Sequence, residues 1–198
     1  MEWLIWAAVL SALFLGFRVL RAGKAVGRKV TIANPSIGFH NLGGPEFAQQ
    51  LEEDQAALGP LFRETVPARG DSAPRCDVLF LYASVGEDGS IHGTATSTLR
   101  QLAADAGASI LVLASNNTGA HVTAAAKRDG PKQASLVLTL NRGGENFARF
   151  FHELFAQMIS GKTMPVAWVA IAPQHESVMP ANVPSTIFIP EGGAVSFK

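Results

Sequence analysis

Three short apolar runs constrain this chain more than any other feature: Asp77–Ala83 (DVLFLYA), Ser109–Ala114 (SILVLA) and Ser135–Leu140 (SLVLTL). Each has the length of a strand and little polar alternation, the pattern of strands buried on both faces. Between them lie helix-like stretches, Thr96–Ala106, with Thr96 or Ser97 as its cap, and Ala120–Arg128. Buried strands separated by helices predict an α/β domain, a mostly parallel sheet covered by helices on both faces.

The flanking segments extend that pattern. Lys29–Asn34 (KVTIAN) reads as a first strand, closed by Pro35 and a Gly-rich loop. Pro45, with Glu46 in the first turn, opens a helix to about Leu58, which Gly59-Pro60 stops. Phe62–Val66 reads as a second short strand. After the third apolar run, Phe147, Phe150, Phe151, Leu154, Phe155 and Met158 form one wide helical stripe ended by Gly161. Such a stripe covers a sheet far more often than it lines a cofactor pocket. Pro165 starts a further helix through Ala172, and Thr186–Pro190 (TIFIP) is a late strand. No internal repeat, low-complexity tract or second domain boundary interrupts residues 29–198.

The N-terminus is of a different kind. Residues 1–20 (MEWLIWAAVLSALFLGFRVL) are apolar from Trp3 to Phe17, with Val19 and Leu20 following Arg18. As a helix, this stretch spans about 27 Å, slightly short of a hydrocarbon core of about 30 Å. Trp3 and Trp6 share a face at one end, and Arg18 can reach water at the other. A secretory signal would begin with basic residues, whereas this segment begins with Glu2 and is followed by Arg21, Lys24, Arg28 and Lys29. The segment therefore reads as a single-pass anchor, with residues 21–28 as a basic juxtamembrane link and the C-terminal domain in the cytoplasm. A helix lying in the interface plane is the alternative, disfavoured because the apolar residues run all round it.

Charge and cysteine content exclude several classes. From Val30 onward eleven basic residues face fifteen acidic ones, a net charge of −4. A domain of that sign carries no electrostatic footprint for nucleic acid. One cysteine, Cys76, cannot form a disulfide within the chain and supplies no zinc motif. There is no phosphate-binding GxxxxGK[ST] or GxGxxG, no HExxH around His152-Glu153, and no G-x-S-x-G at Ser84 or Ser115. The histidines lack ligand spacing, so the sequence points to no cofactor and no metal. Arg69-Gly70-Asp71 and the sequon Asn116-Asn117-Thr118 need no role in a cytoplasmic domain.

Chemistry in an open parallel sheet belongs at the carboxyl ends of its strands. Three loops stand there: Ser84–Thr94 (SVGEDGSIHGT), Ser115–Gly119 (SNNTG) and Asn141–Asn146 (NRGGEN), which leads into a helix N-terminus. The last can hold an anion, or its Gly-Gly can simply make a tight turn.

The first two loops, in this order and after buried strands, resemble those of the caspase-like peptidases, including the bacterial CHAT group. In that family a strand ends in Ser-His-Gly, often followed by Glu-Asp/Glu-Gly, an aromatic residue and Gly-Thr. Here Ser84, Val85, Gly86, Glu87, Asp88 and Gly89 track that run, with His92 in the aromatic place before Gly93-Thr94. The family's next strand ends in Gln-Ala-Cys-x-Gly or Ser-Ala-Cys-x-Thr-Gly, where this chain has Ala114-Ser115-Asn116-Asn117-Thr118-Gly119. The later strand, aromatic helix, Gly161-Lys162 and alanine-rich helix also resemble the CHAT pattern, so the likeness covers about Lys29 to Ala172.

The resemblance implies a caspase-like α/β fold and breaks at the two reacting positions. Val85 stands where the family has its general-base histidine. Asn116, or Asn117 on the shorter motif, stands where it has its cysteine nucleophile. Valine takes no proton and a carboxamide does not attack a carbonyl, so no catalytic residue is expected. His92 as a displaced base is weaker than a structural role. The expected function is that of a membrane-anchored pseudoenzyme working by binding or assembly, with a protein partner or a homodimer. Ser84, Gly86, His92, Ser115, Asn116, Asn117, Thr118 and Arg142 are its candidate binding residues. One alternative is an enzyme or binder of a small anionic ligand at the loops after the central strands. The other is a peptidase whose nucleophile comes from a partner.

Overall fold

The computed structural model describes residues 28–70, 72–92, 94, 97–178 and 184–198, with 172–178 described as backbone. The elements are β1 (Lys29–Ile32), β2 (Ser36–Asn41), α1 (Ala48–Leu58), β3 (Glu64–Val66), β4 (Val78–Tyr82), α2 (Leu99–Ala106), β5 (Ile110–Leu113), α3 (Gly119–Lys127), β6 (Ser135–Asn141), α4 (Asn146–Ile159), α5 (Met164–Val178), β7 (Ser185–Ile189) and β8 (Ala194–Phe197). The main sheet has the order β3-β2-β4-β5-β6-β7. All its pairings are parallel except the last, β6 with β7. This is the expected α/β architecture, and the three apolar runs form β4, β5 and β6 at its centre.

Alternation along the central strands divides the core in two. Phe39, Val78, Phe80, Tyr82, Val112 and Val137 face α1, α4 and α5, where the Phe stripe of α4 fills the space. Phe80 meets Phe147, Phe151 and Phe155 edge-on at 5.3–6.3 Å. Such tilted ring pairs add to the area they bury. On the other face, Leu79, Leu81, Leu111, Leu113, Leu136 and Leu138 pack against α2 and α3.

Several local expectations change. β1 stays out of the main sheet and pairs with β8, a strand the sequence did not announce, in a separate parallel ribbon. Residues 36–41, expected to be a Gly-rich loop, form β2, one strand in from the β3 edge of the sheet. Gly38 is there because a Cβ would lie 2.6 Å from Pro74 Cγ and 2.8 Å from Cys76 Sγ. Thr98, in place of Thr96 or Ser97, caps α2 by accepting the Gln101 amide at 3.2 Å. The helix opening at Pro45 begins as a 3-10 turn, β3 is shorter than Phe62–Val66, and α5 continues past Ala172.

The expected anchor at 1–20 and most of the 21–28 link lie outside the described residues. Among the described residues, no helix is long and apolar enough to cross a membrane.

Candidate functional site

The loop after β4 turns back on itself. Val85 and Ile91 form an antiparallel bridge, the Gly86 amide donates to the Ser90 carbonyl at 2.9 Å, and the His92 amide donates to Ser84 at 3.0 Å. The tip is held on α3. Gly89 has φ +79°, and a Cβ there would come 2.5 Å from the Ala124 backbone. Arg128 donates to the Asp88 carbonyl at 3.2 Å. The Ser90 hydroxyl and amide beside the exposed Asp88 carboxyl hold it below the usual carboxylate range. His92 is exposed, with Nε2 3.5 Å from where a side chain on Gly86 would begin.

Adjacent strand ends are stapled by side chains from the loop after β5. The Val85 amide donates to Asn117 Oδ1 at 3.1 Å, and Asn117 Nδ2 donates to the Ser115 carbonyl at 2.9 Å. The buried Ser115 hydroxyl donates to the Ala83 carbonyl. Asn116 works on the other side: its Oδ1 accepts the Arg142 amide at 2.8 Å, tying the β5 loop to the β6 loop. Thr118 caps α3, accepting the His121 amide at 3.3 Å. The fold thus brings Val85, Ser115 and Asn117 together, and Asn116 to the backbone of Arg142.

The Arg142 side chain turns inward. Nη1 and Nη2 donate to Asp54 Oδ2 and Oδ1 at 2.8 and 2.9 Å, a bidentate pair, and Nη1 also donates to the Ala114 carbonyl at 2.6 Å. The guanidinium lies 4.0 Å over the Phe147 ring. Asp54 is fully buried on α1, and the Tyr82 hydroxyl donates to its Oδ2 at 2.7 Å. Burial first, then the Asp54 charge, raises the Tyr82 phenol far above its ordinary pKa and keeps it a proton donor. A buried ion pair survives where hydrogen bonds replace water around both charges, and here three such bonds reach Arg142 and three reach Asp54. The guanidinium is therefore engaged inside the domain, where the sequence had suggested an anion site at the 141–146 loop.

Sequence reasoning misses Asp54 and Tyr82. One signal was present: Leu51, Asp54 and Leu58 stand at i, i+3 and i+7, so a carboxylate occupies the inward stripe of α1. A cleft of about 370 Å³ also lies beside α1 at the carboxyl ends of β2 and β3, lined by Phe39, His40, Asn41, Gln55, Thr65 and Val66.

The Val85–Asn117 contact joins a backbone amide to a carboxamide oxygen, and the Val85 side chain packs into the leucine-rich core. Cys76 precedes β4, at the opposite end of the sheet. Burial, and secondarily the Asp77 charge, pushes its thiol up to about 12. Among the described residues no group of His, Cys, Asp and Glu could hold a metal ion. Comparison with known families, curated proteins and solved structures finds no match to this chain.

Proposed function

We propose that this chain is a membrane-anchored, catalytically inactive caspase-like domain that acts by binding or assembly. One observation carries the reading: Val85, at the family's histidine position by resemblance, and Asn117, at its cysteine position on the shorter motif, are joined beyond the ends of the adjacent strands β4 and β5, the Val85 backbone amide donating to Asn117 Oδ1 at 3.1 Å. The bond sets the two residues side by side at neighbouring strand ends, where a reacting pair would stand, while the Val85 side chain itself packs into the leucine-rich core. The doubly wound order with an antiparallel edge is compatible with it. The 1–20 segment and its basic link supply the anchor.

The test restores the pair in the full chain. Val85→His with Asn117→Cys, and Val85→His with Asn116→Cys, are alkylated across pH and compared with the same cysteine substitutions beside the native Val85. The expected result is that the introduced imidazole lowers the apparent thiol pKa below about 8.5 at one of the two positions. Titrations unchanged by the imidazole at both positions would sink the family reading. Retention of the full chain in alkali-washed membranes is expected; release removes the anchor.

A further inference from the structure

Helix α5 is apolar on every side of its first two turns. From Met164 to Ile171 its only polar side-chain atom is the indole nitrogen of Trp168. A helix with one solvated face ordinarily carries polar residues there. Only part of this one is covered: Met164, Ala167 and Ile171 are buried, while Val166 is 56% and Val169 72% exposed. Val166, Val169 and Ala170 share the outward face at i, i+3 and i+4. Single exposed valines are ordinary, but these two stand together on a helix face that carries no polar side chain over its first two turns.

Two features identify what lies against it. The chain enters the described fold beside this helix: the Arg28 carbonyl accepts the Ala194 amide at 2.7 Å at the start of β8, and β8 packs on α5. Residues 21–28 alone separate that point from the apolar 1–20 segment, a reach of at most about 28 Å. Charge gives the orientation. The domain from Val30 onward carries −4, and an anionic cytoplasmic leaflet repels it unless its basic side turns inward. Arg28 and Lys29 are exposed where the chain enters, and Lys162 is exposed in the turn leading into α5.

We infer that the outward face of α5, centred on Val166 and Val169, rests on the headgroups of the membrane that holds the chain. This rests on the membrane-anchored reading above. The two valines enter the boundary between headgroups and acyl chains, where interfacial helices bury an apolar face by about 5–10 Å, and the basic residues face anionic lipid.

The experiment uses the full chain in vesicles of phosphatidylcholine and phosphatidylserine. An environment-sensitive fluorophore is placed through Val169→Cys or, as control, through Thr123→Cys, which is exposed on α3 across the sheet. Cys76 is buried and stays unlabelled. Both chains should float with the vesicles. Quenching by spin-labelled lipid should be several-fold stronger at position 169 than at 123, and weaker without phosphatidylserine. Flotation with equally weak quenching at both positions overturns the docking and leaves the anchor intact. Failure to float overturns the anchored reading and the docking with it. A label at 169 shielded equally in detergent without lipid assigns the face to a second copy or to residues 1–20, and overturns the inference.

Discussion

The two faces of the sheet solve the same packing problem with opposite materials. On the α4 side Phe80, Phe147, Phe151 and Phe155 fill a deep layer with rings, and the ion pair Asp54–Arg142 is buried at its edge. On the α2/α3 side the buried core has no ring among the described residues; leucines of the sheet meet alanines such as Ala103, Ala106 and Ala125. Small residues let backbones approach, and the β4 loop uses this: its Gly89 sits against the Ala124–Ala125 peptide. One face is sensitive to lost volume and the other to added volume, because both are already close-packed.

That contrast can be broken by substitution. Phe151→Ala, fully buried on the ring face, should cost about 3–5 kcal/mol in denaturant unfolding. A cost below that of an ordinary Leu→Val change would show that the ring layer collapses freely. Arg142→Met should cost about 3–5 kcal/mol, because it leaves the Asp54 carboxylate buried without its partner. Asp54→Leu combined with Arg142→Met should recover most of that loss. A double variant as unstable as the single one would mean that the pair contributes more than mutual neutralisation.

The aliphatic face gives smaller effects. Ala125→Leu, next to the Gly89 turn, should cost about 1–3 kcal/mol by overpacking. The same enlargement at exposed Ala120 should be nearly neutral, and equal costs at both would remove the asymmetry. Cys76 belongs to this face and reports on its dryness. Its thiol is held protonated in the fold up to about 12, against an ordinary value of 9.0. The unfolded thiol ionises first, so its contribution to stability is intact below about pH 9 and is lost as pH rises toward 12. Iodoacetamide at about pH 8, close to the ordinary thiol pKa, should label Cys76 only after unfolding. Cys76→Ala should flatten the alkaline decline in melting temperature. Rapid labelling of the native chain would show that this face opens.

What could be read from the chain follows the same division. Strands β4, β5 and β6 were legible because burial on both faces leaves a continuous apolar run, and α4 because six side chains repeat on one stripe. β2 was hidden by Pro35 and Gly38, and Gly38 is required by Pro74 and Cys76, which reach it from far along the chain. At the candidate site, the loops at residues 84–94 and 115–119 could be placed at strand ends. The bonds that spend Asn116, Asn117 and Thr118 on backbone amides could not be seen.

The α/β class, the central strands and the Phe-rich covering helix are written in the chain, because hydrophobic periodicity is a property of neighbouring residues. The strand order, the separate β1/β8 ribbon and the inward turn of Arg142 arise from contacts between distant segments. Asp54 and Arg142 stand 88 positions apart, and Tyr82 28 from Asp54. No local pattern encodes such a meeting; it exists because a charge sealed inside a folded core needs partners to replace water.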